Sequence, residues 1–155
     1  FGFSIGWKNL SLTAMFQGAA HVDAMLSGEG VLPFSQGSSR GNLQSNITDR
    51  WTEQNPSQDV FYPRLSIGNI NMNYETSTWW LKNTDYLRLK NIELSYRLPD
   101  HWMKRIHLDN ARVFIQGVNL LTFSSFKIWD VELGDGRGAR YPNIASVSLG
   151  VNFNF

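Results

Sequence analysis

The sequence predicts an all-β chain: the C-terminal strands of a large antiparallel transmembrane β-barrel with long extracellular loops. Three observations carry this expectation. Residues 146–155 alternate strictly. Val147, Leu149, Val151, Phe153 and Phe155 fall on one face of a strand, and Ser146, Ser148, Gly150, Asn152 and Asn154 on the other. Lipid can wet one face of such a strand and an aqueous lumen the other, with the last aromatic in the interfacial girdle. Next, residues 18–84 lose all sustained periodicity. Roughly 65 such residues exceed what a compact domain tolerates in one connection. Outer-membrane barrels do tolerate it, because they pair short periplasmic turns with long extracellular loops. Finally, aromatics make up 14% of the chain and charged residues 17%, with 13 scattered Gly, a mixture that suits sheet with polar loops better than helix. Alternation alone also fits a strand of an ordinary sandwich or soluble barrel.

Taken in order, Phe1, Phe3, Ile5 and Trp7 alternate with Gly2, Ser4 and Gly6, and Leu10, Leu12, Ala14 and Phe16 resume the pattern after Lys8-Asn9. Two such runs joined by two turn-prone residues read as a β-hairpin. From residue 18 to about 84 the breakers Gly28, Gly30, Pro33, Gly37, Ser38, Ser39, Gly41, Pro56 and Pro63 interrupt every candidate element. Residues 85–98 form the next strand. Leu87 and Leu89 occupy odd positions and Ile92, Leu94, Tyr96 and Leu98 even ones, so the phase slips near Lys90-Asn91, where a β-bulge or a change of face is expected. Pro99 ends this strand, and residues 101–107 form one helical turn or a folded connector. Residues 111–119 make a fourth strand, with Val113, Ile115 and Gly117 opposite in face to Arg112, Phe114 and Gln116. A second polar loop over 120–145 precedes the last strand.

Composition narrows the function classes. A net charge of +1 gives no electrostatic case for nucleic acid or an anionic surface. With no cysteine, disulfide frameworks, thiolate metal sites and thiol nucleophiles are all excluded. No apolar run approaches the ~20 residues of a spanning helix, and no leader pattern opens the chain.

The five strands obey a parity. With the last residue on the periplasmic side, the 120–145 and 18–84 loops both fall outside, and the 99–110 link and the Lys8-Asn9 turn both fall inside. A membrane barrel needs about eight strands at least. Residues 1–155 are therefore expected to be an incomplete C-terminal segment, with most strands and any plug domain upstream.

Several segments resemble one family, the SusC/RagA-type TonB-linked outer-membrane proteins. They are D-R-W-T-E-Q-N-P (49–56), F-Y-P-R-L (61–65), N-T-D-Y-L-R-L-K-N-I-E-L-S-Y-R-L-P (83–99), A-R-V-F-I-Q-G-V-N-L-L-T-F (111–123) and Y-P-N (141–143). Their order and spacing agree with the family from about residue 1 to residue 155. One departure is visible: the family's usual Asp-Pro-Glu is here Asp130-Val131-Glu132, which removes a rigidifying proline. The resemblance implies a plugged barrel of roughly 22 strands. It also implies TonB-driven import of oligosaccharides or peptides beneath a SusD-like surface lipoprotein. Contact with the TonB complex would run through an N-terminal part lying outside this sequence.

The candidate site residues fall into two groups. Val151, Phe153 and Phe155 are the expected membrane-assembly signal, read by the barrel-assembly machinery. Trp51, Trp79, Trp80 and Trp129 are candidates for substrate or lid contact. Flat indoles suit sugar faces, although Trp79-Trp80 fits an interfacial belt or loop packing better. Arg50, Trp51, Tyr62 and Arg64 lie in the segments that match the family best; contact with the lipoprotein competes with folding the loop onto itself. Asp130, Glu132 and Asp135 faintly resemble a calcium loop but lack its twelve-residue pattern. His21, His101 and His107 show no metal spacing. No catalytic arrangement stands out, so no enzyme, cofactor or nucleic-acid partner is expected. The partners expected instead are outer-membrane lipid, the lipoprotein, TonB, the assembly machinery and the cargo. A siderophore-type TonB-dependent receptor and a soluble, aromatic-rich carbohydrate-binding β-sandwich are the rival readings.

Overall fold

Strand register converts the alternation of single strands into two chemically opposite surfaces. The computed structural model describes residues 1–34, 43–66, 71–105, 107–134 and 136–155. The breakers Gly37, Ser38, Ser39 and Gly41 lie outside the described residues. Two compact units result: a sheet unit of residues 1–21, 85–127 and 142–155, and a loop unit of residues 22–84 and 128–141.

The sheet unit contains β1 (Gly2–Trp7), β2 (Leu10–Ala19), β5 (Tyr86–Arg97), β6 (Asn110–Ser124) and β7 (Ser146–Asn154). They form one five-stranded sheet in the order β1-β2-β5-β6-β7, antiparallel throughout. One row across it reads Ile5, Leu12, Leu94, Ile115, Leu149; the adjacent row reads Ser4, Thr13, Glu93, Gln116, Ser148. Because neighbouring rows point to opposite faces, the first face is apolar from edge to edge. Trp7, Leu10, Tyr96, Val113 and Val151 continue it at one end, and Phe16, Leu89 and Leu121 at the other.

A soluble sandwich would bury that face under a second sheet. Here Ile5 is 59% exposed, Ile115 45% and Leu149 76%, and nothing among the described residues of the unit covers them. From Leu87 to Tyr96 the apolar stripe runs roughly 27 Å along β5, or about 21 Å along a barrel axis at typical strand tilt. That is close to the ~25 Å apolar band of outer-membrane barrels.

The phase slip in residues 85–98 is a bulge. Met15 and Phe16 of β2 face Asn91 and Leu89, so Lys90 is the extra residue. On its other side β6 answers with Asn119 and Leu120 between the partners of Asn91 and Leu89, and Asn119 takes a left-handed φ of 54°. These adjustments keep Leu87 and Leu89 on the apolar face with Ile92 and Leu94. They also carry β6 to Ser124, five residues beyond the sequence expectation, because the left-handed residue hides the continuing strand from a period-two search.

The connector after Pro99 is a helix, α1 (Asp100–Arg105), with Met103 buried. The Pro99 carbonyl accepts from the amides of Trp102 and Met103. Asp100 in the first turn and Lys104 and Arg105 in the last match the helix dipole.

The loop unit corrects the view of residues 18–84 as a long stretch without elements. It has its own ribbon, β3 (Asp23–Met25) against β4 (Leu81–Asn83), and 3-10 turns at Asn71–Tyr74, Thr78–Trp80 and Val131–Leu133. Its core is Trp80, Tyr62, Val31, Leu26 and Leu133, each at most 8% exposed. The Ser27 amide donates to the Gly136 carbonyl, so the two long connections fold as one body.

Candidate functional site

Segment 61–64 is the hub of the loop unit. The Trp51 amide donates to the Tyr62 carbonyl and the Tyr62 amide to that of Asp49, both at 3.0 Å. This short two-way ladder sets Trp51 beside Pro63 and Arg64. Two further strips dock on it. Trp79 donates its indole N–H to the Phe61 carbonyl at 3.0 Å, and Asn73 donates Nδ2 to the Arg64 carbonyl at 2.7 Å. Trp80 bonds the Asn73 carbonyl through its own indole. Trp51, Gln58, Pro63, Arg64, Asn73 and Trp79 then line an open cleft of about 400 Å³.

The charges of this cleft are matched internally. Arg64 reaches Glu53 at 3.3 Å, and its guanidinium lies 5.9 Å from the Trp51 ring centre. Lys82 sits 5.0 Å from the Phe61 ring centre and 5.8 Å from that of Trp79. Burial holds the Lys82 ammonium below the ordinary lysine range, and Asp49 partly opposes that shift. Burial likewise pushes the Tyr62 and Tyr74 phenols up.

The sequence candidates separate under this geometry. Trp51 and Trp79 come together in the cleft. Trp80, next along the chain, is 1% exposed and packs edge-on to Tyr62 at 6.3 Å, so it is core and offers no stacking face. Tyr62 is fully buried and Arg50 donates to the Ile47 carbonyl, so both fold the loop onto itself. Trp129 belongs to the second long connection. Its ring lies against Gly138, where a Cβ would come within 2.7 Å of it and the φ of 62° also favours glycine. Asp130 Oδ1 accepts the Glu132 amide at 3.0 Å and caps a 3-10 turn that ends on left-handed Gly134. The segment that lost its proline is therefore still a compact turn. Asp135 lies outside the described residues, and no cluster of three metal-ligating side chains occurs among those described.

On the sheet, Val151 and Phe153 lie on the apolar face opposite Val113 and Ala111, and Phe155 follows β7 at 92% exposure. The polar face holds a feature that sequence reasoning missed. Arg112 crosses the Phe114 ring at 5.2 Å and bonds Glu93 at 3.0 Å. The two residues lie on strands whose register no single-strand pattern reveals. Gln58 and Asn73 of the cleft and Lys82 beside the Trp79 ring were missed as well, because segments distant in sequence bring them there.

Comparison with known proteins fits this architecture. The chain is 29% identical over 169 aligned residues to TonB-dependent receptor P26 of Formosa agariphila, which aligns with all of this chain. It is 26% identical over 172 residues to TonB-dependent receptor P3 of the same organism. Among solved structures, the RagAB peptide importer in its open-open state superposes with a TM-score of 0.73 at 29% identity, over 99% of this chain. The closed-closed state gives 0.72 at 28% identity. The chain spans 17% and 16% of the two receptors and 17% of the matched importer chain. No protein-family model matches it.

Proposed function

We propose that this chain, which belongs to the SusC/RagA-type TonB-linked outer-membrane proteins, contributes barrel wall and outer loops to a TonB-dependent importer of oligosaccharides or peptides. The observation that carries the reading is the two-faced sheet. A continuous apolar surface suits lipid, the opposite surface carries Glu93, Arg112 and hydroxyls suited to water, and both long connections join strand ends on one side of the sheet. The receptor and importer names of the relatives support transport and name no catalysis.

In this reading the full-length protein works with a SusD-like lipoprotein over its mouth and draws energy from TonB through parts outside this chain. Val151, Phe153 and Phe155 present the edge that the barrel-assembly machinery recognises. Uptake of labelled oligosaccharides and peptides by cells carrying the full-length protein tests it. Import should stop when either TonB or the neighbouring lipoprotein is deleted. Uptake that persists at full rate without TonB would contradict the reading.

A further inference from the structure

We infer that the Trp51–Trp79 cleft is a binding subsite for one ring or two of an uncharged glycan. The inference deepens the import reading by choosing between its two cargo classes, and it rests on that reading only for the identity of cargo.

Trp79 has its one polar atom bound to the Phe61 carbonyl, so its ring can offer a ligand only an apolar face and edge. Trp51 and Pro63 add further flat apolar surface. Such surface suits the C–H faces of a pyranose. Around it stand the amides Gln58 and Asn73. The Asn73 Nδ2 is committed to the Arg64 carbonyl, and its amide oxygen is an acceptor for a hydroxyl. A few placed polar groups on an apolar floor make the usual small-ligand site, and ~400 Å³ lies within the usual range.

Charge decides against the alternatives. A peptide carboxylate or a uronate would need a cation to spare. Arg64 is paired with Glu53 and lies over Trp51, while Lys82 lies over Phe61 and Trp79 with the Asp49 carboxylate acting on it. An anion would have to share the exposed Arg64 guanidinium with Glu53, against the repulsion of that carboxylate. A neutral, hydroxyl-rich ring meets no such repulsion. The walls are also held before any ligand arrives, by the Trp79, Asn73 and Trp80 hydrogen bonds, so little ordering opposes binding.

The test uses the full-length protein in detergent, titrated while intrinsic fluorescence and heat of binding are followed. The probes are neutral hexasaccharides (β-1,4-glucan, β-1,3-glucan, β-1,4-xylan, β-1,4-mannan), hexagalacturonate, and a tryptic casein digest. At least one neutral hexasaccharide should bind. Trp79→Ala and Trp51→Ala should each weaken it by about fivefold or more, the loss of one stacked aromatic contact. Trp79→Phe should recover part of the loss. Heat-modifiable gel mobility checks that every variant remains a folded barrel. Binding of only the digest or only the uronate, or neutral-glycan binding indifferent to both alanine variants, would overturn the inference; so would no binding by any neutral probe. Because TonB-dependent uptake is scored separately in cells, glycan binding without import would sink the transport reading and leave this one standing.

Discussion

Trp79 and Trp80 are neighbours with opposite roles, and the hydrogen bond each indole makes shows why. Trp79 ties to the Phe61 carbonyl at the rim of the cleft, whereas Trp80 ties to the Asn73 carbonyl within the core. The same logic makes Tyr62 informative. It is fully buried, and its hydroxyl finds no partner among the described residues. Tyr62→Phe should therefore keep stability within about 1 kcal/mol, while Tyr62→Ala should cost about 3–5 kcal/mol in cavity and contacts; denaturant unfolding of the full-length protein measures both. Gly136 is stricter. A Cβ there would overlap the Met25 carbonyl oxygen, so Gly136→Ala should open the loop unit to limited proteolysis. Lys82 makes the unit pH-sensitive. Burial lowers its folded pKa, so the unfolded chain binds the proton more tightly. The resulting penalty is present below the folded pKa and fades as pH rises through it. Loop-unit stability, followed by tryptophan fluorescence in denaturant, should climb as pH rises through the folded pKa of Lys82 toward the ordinary lysine value of 10.5, and Lys82→Met should flatten the climb. Above about pH 10 the raised Tyr62 and Tyr74 phenols act in the opposite direction.

Elements with a period were legible, and those without one were not. The hairpin, the helical connector and the last strand follow from alternation and punctuation. The phase slip at Lys90-Asn91 was legible too, but choosing a bulge over a change of face needed the register, in which Lys90 is the extra residue. Deleting Lys90 should turn residues 86–89 to the wrong surface and abolish outer-membrane assembly, whereas Lys90→Ala should assemble normally; blotting of outer-membrane fractions distinguishes the two. β6 was read short because left-handed Asn119 interrupts its rhythm. Residues 22–84 showed no pattern because β3 and β4 are three residues each and their core is gathered from distant segments. The pairing of Trp51 with Trp79 was invisible for that reason, although both indoles stood out singly. At the far edge, β7 presents Val151 and Phe153 with Phe155 after them. Phe155→Asp should lower outer-membrane levels of the protein while leaving loop-unit contacts intact, and unchanged levels would count against an assembly role.

At the scale of the molecule, the chain is a slice of outer-membrane barrel wall in which neighbouring residues meet different solvents. Ile115 and Gln116 are adjacent on β6 but belong to the apolar and polar rows respectively. Arginine at a lipid-facing site near the bilayer centre costs about 2–4 kcal/mol. Ile115→Arg should therefore destabilise the folded barrel by that amount, and Gln116→Arg by much less, in equilibrium unfolding from liposomes. The most direct measurement scans single cysteines through residues 112–116 of the full-length protein, which is practicable because this chain has no cysteine of its own. Each is labelled with a fluorophore and challenged with a lipid-phase and an aqueous quencher. Odd positions should answer to the lipid quencher and even positions to the aqueous one. Labels at 87 and 89 should share the lipid response of 92 and 94 across the bulge. An equal aqueous response at odd and even positions would show that water bathes both faces, and the barrel-wall assignment would be lost.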